Sequence, residues 1–445
     1  MGRPSHTRAL SVWTNGLRVG TWRIPTNGNM EFQYDADWID SDEGRPLSLS
    51  LPFGFDTSPL RGERVRNFFD NLLPDNEAIR RRLGTRFRTR SLDAFDLLEA
   101  VGRDCVGALQ ILAPDAEPDG FDRIEGRPLR EDDVEDLLTR VVMPGTAAEQ
   151  DDPDDLRLSL AGAQEKTALL YHDGQWWVPH GATPSTHILK LPLGFVGHAK
   201  IDMTTSVENE WLCLQLLEAF GLPAAAAEIL QFGAQKVLSV TRFDRRMNPA
   251  APWLLRLPQE DFCQALGVAP HLKYESDGGP GMVDICEILR QSAQQEADLR
   301  TFLSAQILFW MLAAPDGHAK NFSLRLLRRG RFELTPLYDV MSIWPVEGST
   351  GSQWSWHKAK LAMLVPGRHK RYRLKEIRRQ HFNEMARLCF FGQDAEPILE
   401  SLIERTPAAI EQVSARLPEH FPERVAQRIF EGLQHSADRL AEMSR

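Results

Sequence analysis

Two short runs carry side chains whose types and spacing suit one kind of chemistry. The first is Asp316-Gly317-His318-Ala319-Lys320-Asn321; the second is Tyr338-Asp339, reached after Phe322 to Leu334, which reads as a hairpin. A carboxylate, an amide five positions on and a second carboxylate beyond a hairpin are what phosphoryl transfer requires. Asp316 would orient or deprotonate an acceptor hydroxyl, while Asn321 and Asp339 would hold Mg2+ against nucleotide phosphates. His318 would shape the loop, and Lys320 would face the transferred phosphate. The first run alone also fits a polar turn after a core helix, with Asp339 capping the next element; the downstream Tyr338-Asp339 favours the chemical reading.

ATP also needs a backbone-lined cover for its phosphates and a lysine on the strands that follow. Ala161-Gly162-Ala163-Gln164-Glu165-Lys166 offers small residues and free N–H groups, although it lacks the Gly-x-Gly-x-x-Gly pattern and by itself also reads as a simple turn. Lys190 lies in the apolar run Ile188-Leu189-Lys190-Leu191, where an ammonium is costly unless it meets a carboxylate or phosphate, or snorkels off an edge strand. Glu208 and Glu210 on the next helix are both candidate partners. Thr241-Arg242-Phe243 falls where a hinge between lobes would present backbone groups to adenine. His187, His271 and His357 have no partner at ligand spacing.

The elements that must position these groups follow from periodicity. Ser11 to Ile24 alternates around Asn15-Gly16, and Met30 to Tyr34 follows a second tight turn, predicting a small antiparallel meander. Pro46 to Pro52 repeats the alternation. Helical spacing begins at Val65 and again at Ala94; between them lie the six arginines of Arg80 to Arg90, which read as a solvated helix face or, less simply, a contact for nucleic acid or an acidic partner. Gly107 to Leu112 reads as a strand closing this first unit. A Pro/Asp/Gly-rich piece (Ala113 to Pro128), a short helix and the acidic run Glu149 to Asp155 read as a linker or mobile loop. Strands then alternate through Thr167 to Tyr171, Trp176 to Pro179 and Thr186 to Leu191. A helix follows, with Thr205 as its N-cap and Glu208 completing a capping box. The hairpin Ala227 to Val240 leads to the hinge. Strands, one helix and strands again is the order of a protein-kinase small lobe, and protein kinases keep the same interval between base and Asn. The rest is mostly helical. The predicted class is α+β: a two-lobed protein-kinase-like fold with an N-terminal β-meander and helical subdomain (1–145), a small lobe (146–243) and a mostly helical C-terminal lobe (244–445).

With 445 residues, a hydrophobic share of 42% and a charged share of 26%, two to three ordinary globular domains are expected. The formal net charge of -10 argues against a protein that is basic overall. Five scattered cysteines without a Cys-x-x-Cys fit reduced thiols, not a disulfide frame or zinc site. No apolar leader or membrane span is evident, so a cytoplasmic protein without a membrane partner is expected.

Taken together, the motifs resemble the HipA family of serine/threonine-protein kinase toxins from bacterial HipBA toxin–antitoxin modules. The runs that carry the resemblance include Phe68-Phe69-Asp70-Asn71-Leu72-Leu73-Pro74-Asp75, Gly102-Arg103-Asp104, Ala161 to Leu170, Arg256 to Asp261, Lys273 to Gly281 and Asp316 to Ser323, in order and nearly end to end. The resemblance implies Asp316 as the catalytic residue and Asn321 and Asp339 as Mg2+ ligands. It implies an ATP site lined by Ala161, Gly162, Ala163, Gln164, Glu165, Lys166, Lys190, Thr241, Arg242, Phe243, His318, Ala319, Lys320, Asn321, Tyr338, Asp339, Val340 and Met341. It further implies autophosphorylation on Ser159 as an off-switch, glutamyl-tRNA synthetase as protein substrate, a HipB-like helix-turn-helix antitoxin and joint binding to operator DNA. Thr241 stands where some members have Glu, and Pro315 where some have Thr. The basic segment Arg368 to Lys375 resembles the family's operator-touching region, with Arg368, Lys370 and Arg371 as DNA contacts; a solvated basic helix is the competing reading. A small-molecule or lipid kinase, and a catalytically silent DNA-binding co-repressor, are the alternative functions. Retention of Asp316, Asn321, Asp339 and Lys190 together argues against the silent one.

Overall fold

Both residues of the Asn15-Gly16 turn take positive φ, 46° and 82°, the backbone that a two-residue hairpin loop demands. The hairpin joins β1 (Arg8–Thr14) to β2 (Leu17–Ile24). The structure is a computed structural model that describes residues 7–26, 28–54, 58–142, 164–197, 199–369 and 371–444. Adding β3 (Glu31–Tyr34), β4 (Leu60–Arg61) and β5 (Gln110–Leu112) gives a five-stranded antiparallel sheet in the order β4-β3-β2-β1-β5. Helices α1 (Ala36–Asp40), α2 (Glu63–Asp70), α3 (Glu77–Arg86) and α4 (Ala94–Val101) complete the unit. Its core is aromatic, with Trp22 stacked on Phe69 at 3.9 Å between ring centroids. The alternation in Pro46 to Pro52 does not produce a strand. A bridge links Ser48 and Leu51, and the Ser48 and Ser50 hydroxyls donate to the Gln264 carbonyl at 3.2 and 2.6 Å, so this stretch docks against the large lobe.

The small-lobe sheet runs in the order β12-β13-β9-β7-β8-β6, comprising β6 (Gly126–Leu129), β7 (Lys166–His172), β8 (Gln175–Pro179), β9 (His187–Lys190), β12 (Ala227–Phe232) and β13 (Gln235–Thr241). A side hairpin is formed by β10 (Gly194–Val196) and β11 (Ile201–Met203). Helix α5 (Glu131–Val142) packs Val134, Leu137 and Leu138 against Leu169, Leu189 and Val237 of this sheet. A boundary at 145 therefore cuts through the small lobe: β6 and α5 belong to its core, because their apolar side chains have nowhere else to be buried. Helix α6 (Ser206–Ala219) begins after Thr205, but the expected capping box is absent: Thr205 makes no side-chain cap bond, and Glu208 is drawn across to Lys236 on β13 at 2.5 Å.

The large lobe opens with β14 (Arg245–Met247), β15 (Leu254–Arg256) and β16 (Gln259–Asp261), then α7 (Phe262–Leu266), α8 (Met282–Leu289) and α9 (Gln295–Met311). Residues Leu303 to Met311 of α9 are almost entirely buried, so its C-terminal end is a fixed platform for the loop that follows. That loop leads to the predicted hairpin, β17 (Ser323–Leu326) and β18 (Phe332–Leu334), paired with β16. After β19 (Lys360–Val365) and β20 (Arg371–Arg373), helices α10 (Arg379–Leu388), α11 (Glu396–Ser414) and α12 (Glu423–Glu442) finish the chain. The basic segment lies at the β19–β20 turn rather than on a helix: Arg368 is exposed, Arg371 half-buried, and Lys370 lies outside the described residues. Among the described residues no helix is long and apolar enough to cross a membrane.

All three units meet at a buried ion network. Asp104, from the turn before β5, accepts from Arg245 at 3.0 Å, Arg256 at 3.2 Å, Arg242 at 3.4 Å and the Ser185 hydroxyl at 2.5 Å. Asp244 holds Arg242 from the other side at 2.8 Å and accepts the Gly107 N–H at 2.7 Å. Arg242 is the middle residue of the predicted hinge, so the N-terminal unit is bonded directly to the link between the lobes.

Candidate active site

A cavity of 220 Å³ opens between the lobes, walled on one side by the small-lobe sheet and on the other by the loop after α9. Lys190, at the end of β9, donates to Glu210 at 2.6 Å and to Asp339 at 3.1 Å, and the Lys and Glu are almost wholly buried. Of the two glutamates open to Lys190 in the sequence, Glu210 is therefore the partner. Burial pushes the Lys190 ammonium down, but Asp339 and Glu210 outweigh it and hold the group firmly charged. Burial likewise pushes the Asp339 carboxyl up, yet Lys190 and Lys166 keep it well below the usual carboxylate range. Asp339 adopts a φ of 59°, a left-handed backbone that Asp tolerates better than most residues and that costs about 1–3 kcal/mol when imposed. The strain is sustained by packing on both sides: Leu337, Val340 and Ile343 belong to the large-lobe core.

Across the cavity, Asp316 reaches solvent at the mouth while protein crowds its other sides. Lost hydration raises its carboxyl above the ordinary range; a hydrogen bond from the Tyr274 hydroxyl at 2.6 Å opposes the rise, and the Asp339 charge adds to it. Asn321 is oriented by its amide, whose Nδ2 donates to the Asp316 carbonyl at 2.7 Å and leaves its oxygen directed elsewhere. Tyr338 braces the loop from beneath, its hydroxyl 2.5 Å from Ser323 and donating to the Lys320 carbonyl at 2.9 Å. Burial, with help from the Lys273 charge, lowers His318 to about 3, so its ring stays neutral and acts through shape. Its edge packs on Tyr274, with centroids 5.0 Å apart.

Family models match most of this chain: that of the HipA N-terminal domain over residues 10–112, and that of the HipA-like C-terminal domain over residues 158–412. This chain belongs to the HipA family. Y4mE of Sinorhizobium fredii, a protein named as a kinase, is 36% identical over 348 residues, or 75% of this chain and 77% of its own. The serine/threonine-protein kinase toxin HipA of Shewanella oneidensis is 30% identical over 356 residues, 76% of either chain. The solved Shewanella oneidensis complex of HipA, HipB and operator DNA contains a chain that superposes with a TM-score of 0.77 over 97% of both, at 24% identity; the fold is the same.

Within this HipA-family fold the predicted residues separate. Gln164, Lys166, Lys190, Thr241 and Phe243 line the cavity from the small-lobe side. Asp316, His318, Asn321, Tyr338, Asp339 and Met341 line it from the large-lobe side. Arg242 touches the cavity too, but its guanidinium points away into the Asp104 network. Ala319 and Val340 are buried in the large-lobe core, and the Glu165 carboxylate leaves the cavity to pair with Arg82 of α3. Ala161, Gly162, Ala163 and Ser159 lie outside the described residues. Lys320 turns beneath the loop instead of facing the cavity's centre: its ammonium donates to the Asn71 carbonyl and side-chain oxygen at 3.0 and 2.8 Å and sits 3.3 Å from Asp261. The sequence reading did not assign Asn71, Asp75, Asp261, Lys273 or Tyr274 to the site. Their signal was present in the runs Asn71 to Asp75, Arg256 to Asp261 and Lys273-Tyr274, polar residues embedded where a surface turn has no need of those particular types.

Proposed function

We propose that this chain is an ATP- and Mg2+-dependent protein serine/threonine kinase and the toxin of a HipBA-type module. One observation carries the reading: Asp316, Asn321, Asp339 and the Lys190–Glu210 pair, drawn from four separate stretches of chain, converge on one cavity. Nucleotide phosphates would meet the Lys190 and Lys166 ammonium groups, with adenine against the Phe243 and Tyr338 side, where the rings stand 5.8 Å apart. The side-chain oxygens of Asn321 and Asp339 fit a hard divalent ion that takes its remaining ligands from phosphates and water. Bound there, the ion would neutralise charge on the phosphates. Asp316 would accept the acceptor hydroxyl's hydrogen bond and take its proton as the new P–O bond forms; its raised carboxyl is a better base than an ordinary Asp.

Family membership supports the finer proposals as well: glutamyl-tRNA synthetase as substrate, Ser159 as an autophosphorylation site, and a HipB-like antitoxin that joins the chain to operator DNA. Arg368, Lys370 and Arg371 would supply the chain's own contacts to that DNA. The test is transfer of label from ATP to glutamyl-tRNA synthetase and to the chain itself. Asp316→Asn should bind Mg-ATP as before and lose about 10²–10⁴ in turnover. Label in a small hydroxyl compound but in no protein would favour a small-molecule kinase, and near-normal transfer by Asp316→Asn would overturn the assignment.

A further inference from the structure

Four lysines line the cavity, and they differ in how many of their N–H donors are already taken. Lys190 is held by two carboxylates and Lys320 by an amide oxygen, a carbonyl and the nearby Asp261 and Asp75. Lys166 bonds to no described group, but it stands beside Lys190, at the nucleotide end. Lys273 is different again. Among the described residues its ammonium makes one hydrogen bond, to Asp75 at 3.0 Å, and its side chain remains partly open. An ammonium has three donors, and beyond the Asp75 bond the group lies 5.4 Å over the Tyr274 ring in the wall of the cavity that Asp316 also lines, so it retains donors for an anion there. Its chain neighbour Tyr274 is the residue bonded to Asp316, which ties Lys273 to the acceptor end of the site and not to the adenine end.

The carboxylate that fixes this lysine comes from outside the two lobes. Asp75 sits in the turn between α2 and α3, a few residues after Asn71, and the two reach into the cavity together. Asp75 is mostly buried; Lys320 and Lys273 hold its carboxyl below the ordinary range against the effect of burial. One of its oxygens is 3.5 Å from Lys320 and the other binds Lys273, so a single carboxylate sets the distance between the loop's anchor and the free cation.

We propose that Lys273 is the catalytic cation that meets the transferred phosphoryl group, and that Asp75 of the N-terminal unit is the residue that positions it. The inference rests on the kinase reading. In the transfer, the acceptor oxygen forms a bond to the γ-phosphorus, and the bond from that phosphorus to the β,γ-bridging oxygen breaks. The electron pair stays on ADP, and the acceptor's proton goes to Asp316. Lys273 keeps its protons throughout; its free N–H donors bind the equatorial oxygens, where charge is spread as the group passes. The N-terminal unit thereby completes the active site, and the lobes without it would carry an unanchored lysine.

The experiment compares kcat with Mg-ATP affinity in the full chain. Lys273→Met should lower kcat by about 10²–10³, the usual effect of removing a donor aimed at transition-state charge, while leaving the Mg-ATP Kd within about threefold. Asp75→Asn keeps the turn's shape and the lysine's charge, so its kcat should fall less, by about tenfold, again with little change in Kd. Lys273→Arg should recover part of the loss. A Lys273→Met chain with kcat within about twofold of wild type overturns the proposal, and so does an equal loss in kcat and in nucleotide affinity. If Lys273→Met does not fold, Asp75→Asn decides by the same criterion. A wild-type chain that transfers no phosphate would sink the kinase reading itself, an outcome visible before any variant is compared.

Discussion

Changing Asp104 to Asn removes one of the two carboxylates that face Arg242, Arg245 and Arg256 at the junction of the three units. Asp104 and these arginines are between 1% and 8% exposed, so water cannot take over the lost charge. Breaking a buried ion pair from one side costs about 3–5 kcal/mol, because the remaining charge is left without compensation. The Asn oxygen can still accept one of the bonds now made to Asp104, which puts the expected loss near the lower end, about 3 kcal/mol. A domain's whole stability is about 5–15 kcal/mol, so the variant should show a clearly lower urea midpoint by tryptophan fluorescence. Since Arg242 is hinge and network at once, nucleotide binding by the folded variant should weaken too. Asp119→Asn is the control: its partner Arg123 lies 3.5 Å away in an exposed pair, and the midpoint should not move. If Asp104→Asn unfolds within about 0.5 kcal/mol of wild type, the network does not hold the units together and the argument from buried charge is wrong.

Two further outcomes are expected. Burial and the neighbouring Lys190 bring Lys166 down to about 8, so its ammonium is mostly charged a unit below that pH and mostly neutral a unit above it. Phosphate binding favours the charged form. ATP affinity should therefore fall as pH rises through about 8, with proton uptake on binding measured by calorimetry in two buffers; a Lys166→Met chain with the same pH dependence would refute it. For the β19–β20 turn, Arg368→Ala and Arg371→Ala should each flatten the slope of log affinity against log salt by about 0.9 in the complex with antitoxin and DNA, and leave kinase activity alone. An unchanged slope would return those residues to a solvated surface.

Most local elements were legible because their causes are local. The Asn15-Gly16 hairpin follows from two residues that accept positive φ, and the α9 platform from a run of apolar side chains too long for a strand. The interval from Asp316 to Asn321 and the return at Asp339 were readable for the same reason: a short loop and a hairpin fix those separations within one stretch of chain. The Pro46 to Pro52 alternation misled because an extended pattern needs a neighbouring strand edge, and here the serines find the Gln264 carbonyl instead. Charge partnerships needed the tertiary structure. Glu208 and Glu210 are two positions apart on α6 and so face roughly opposite ways at about 100° per residue; the docking of that helix decides which one meets Lys190 and which meets Lys236. Lys320 is bonded to Asn71, 249 residues earlier in the chain, and Lys273 to Asp75, 198 residues earlier. No spacing rule spans such intervals. Sequence alone picked out Asp316, Asn321, Asp339 and Lys190 as candidate groups, because short local separations relate most of them, but it did not point to Lys273. The docking of the two lobes decided that Lys190 is paired with Glu210 and Asp339, and the packing of the N-terminal unit against the large lobe decided the partners of Lys320 and Lys273, because both contacts join stretches far apart in the chain.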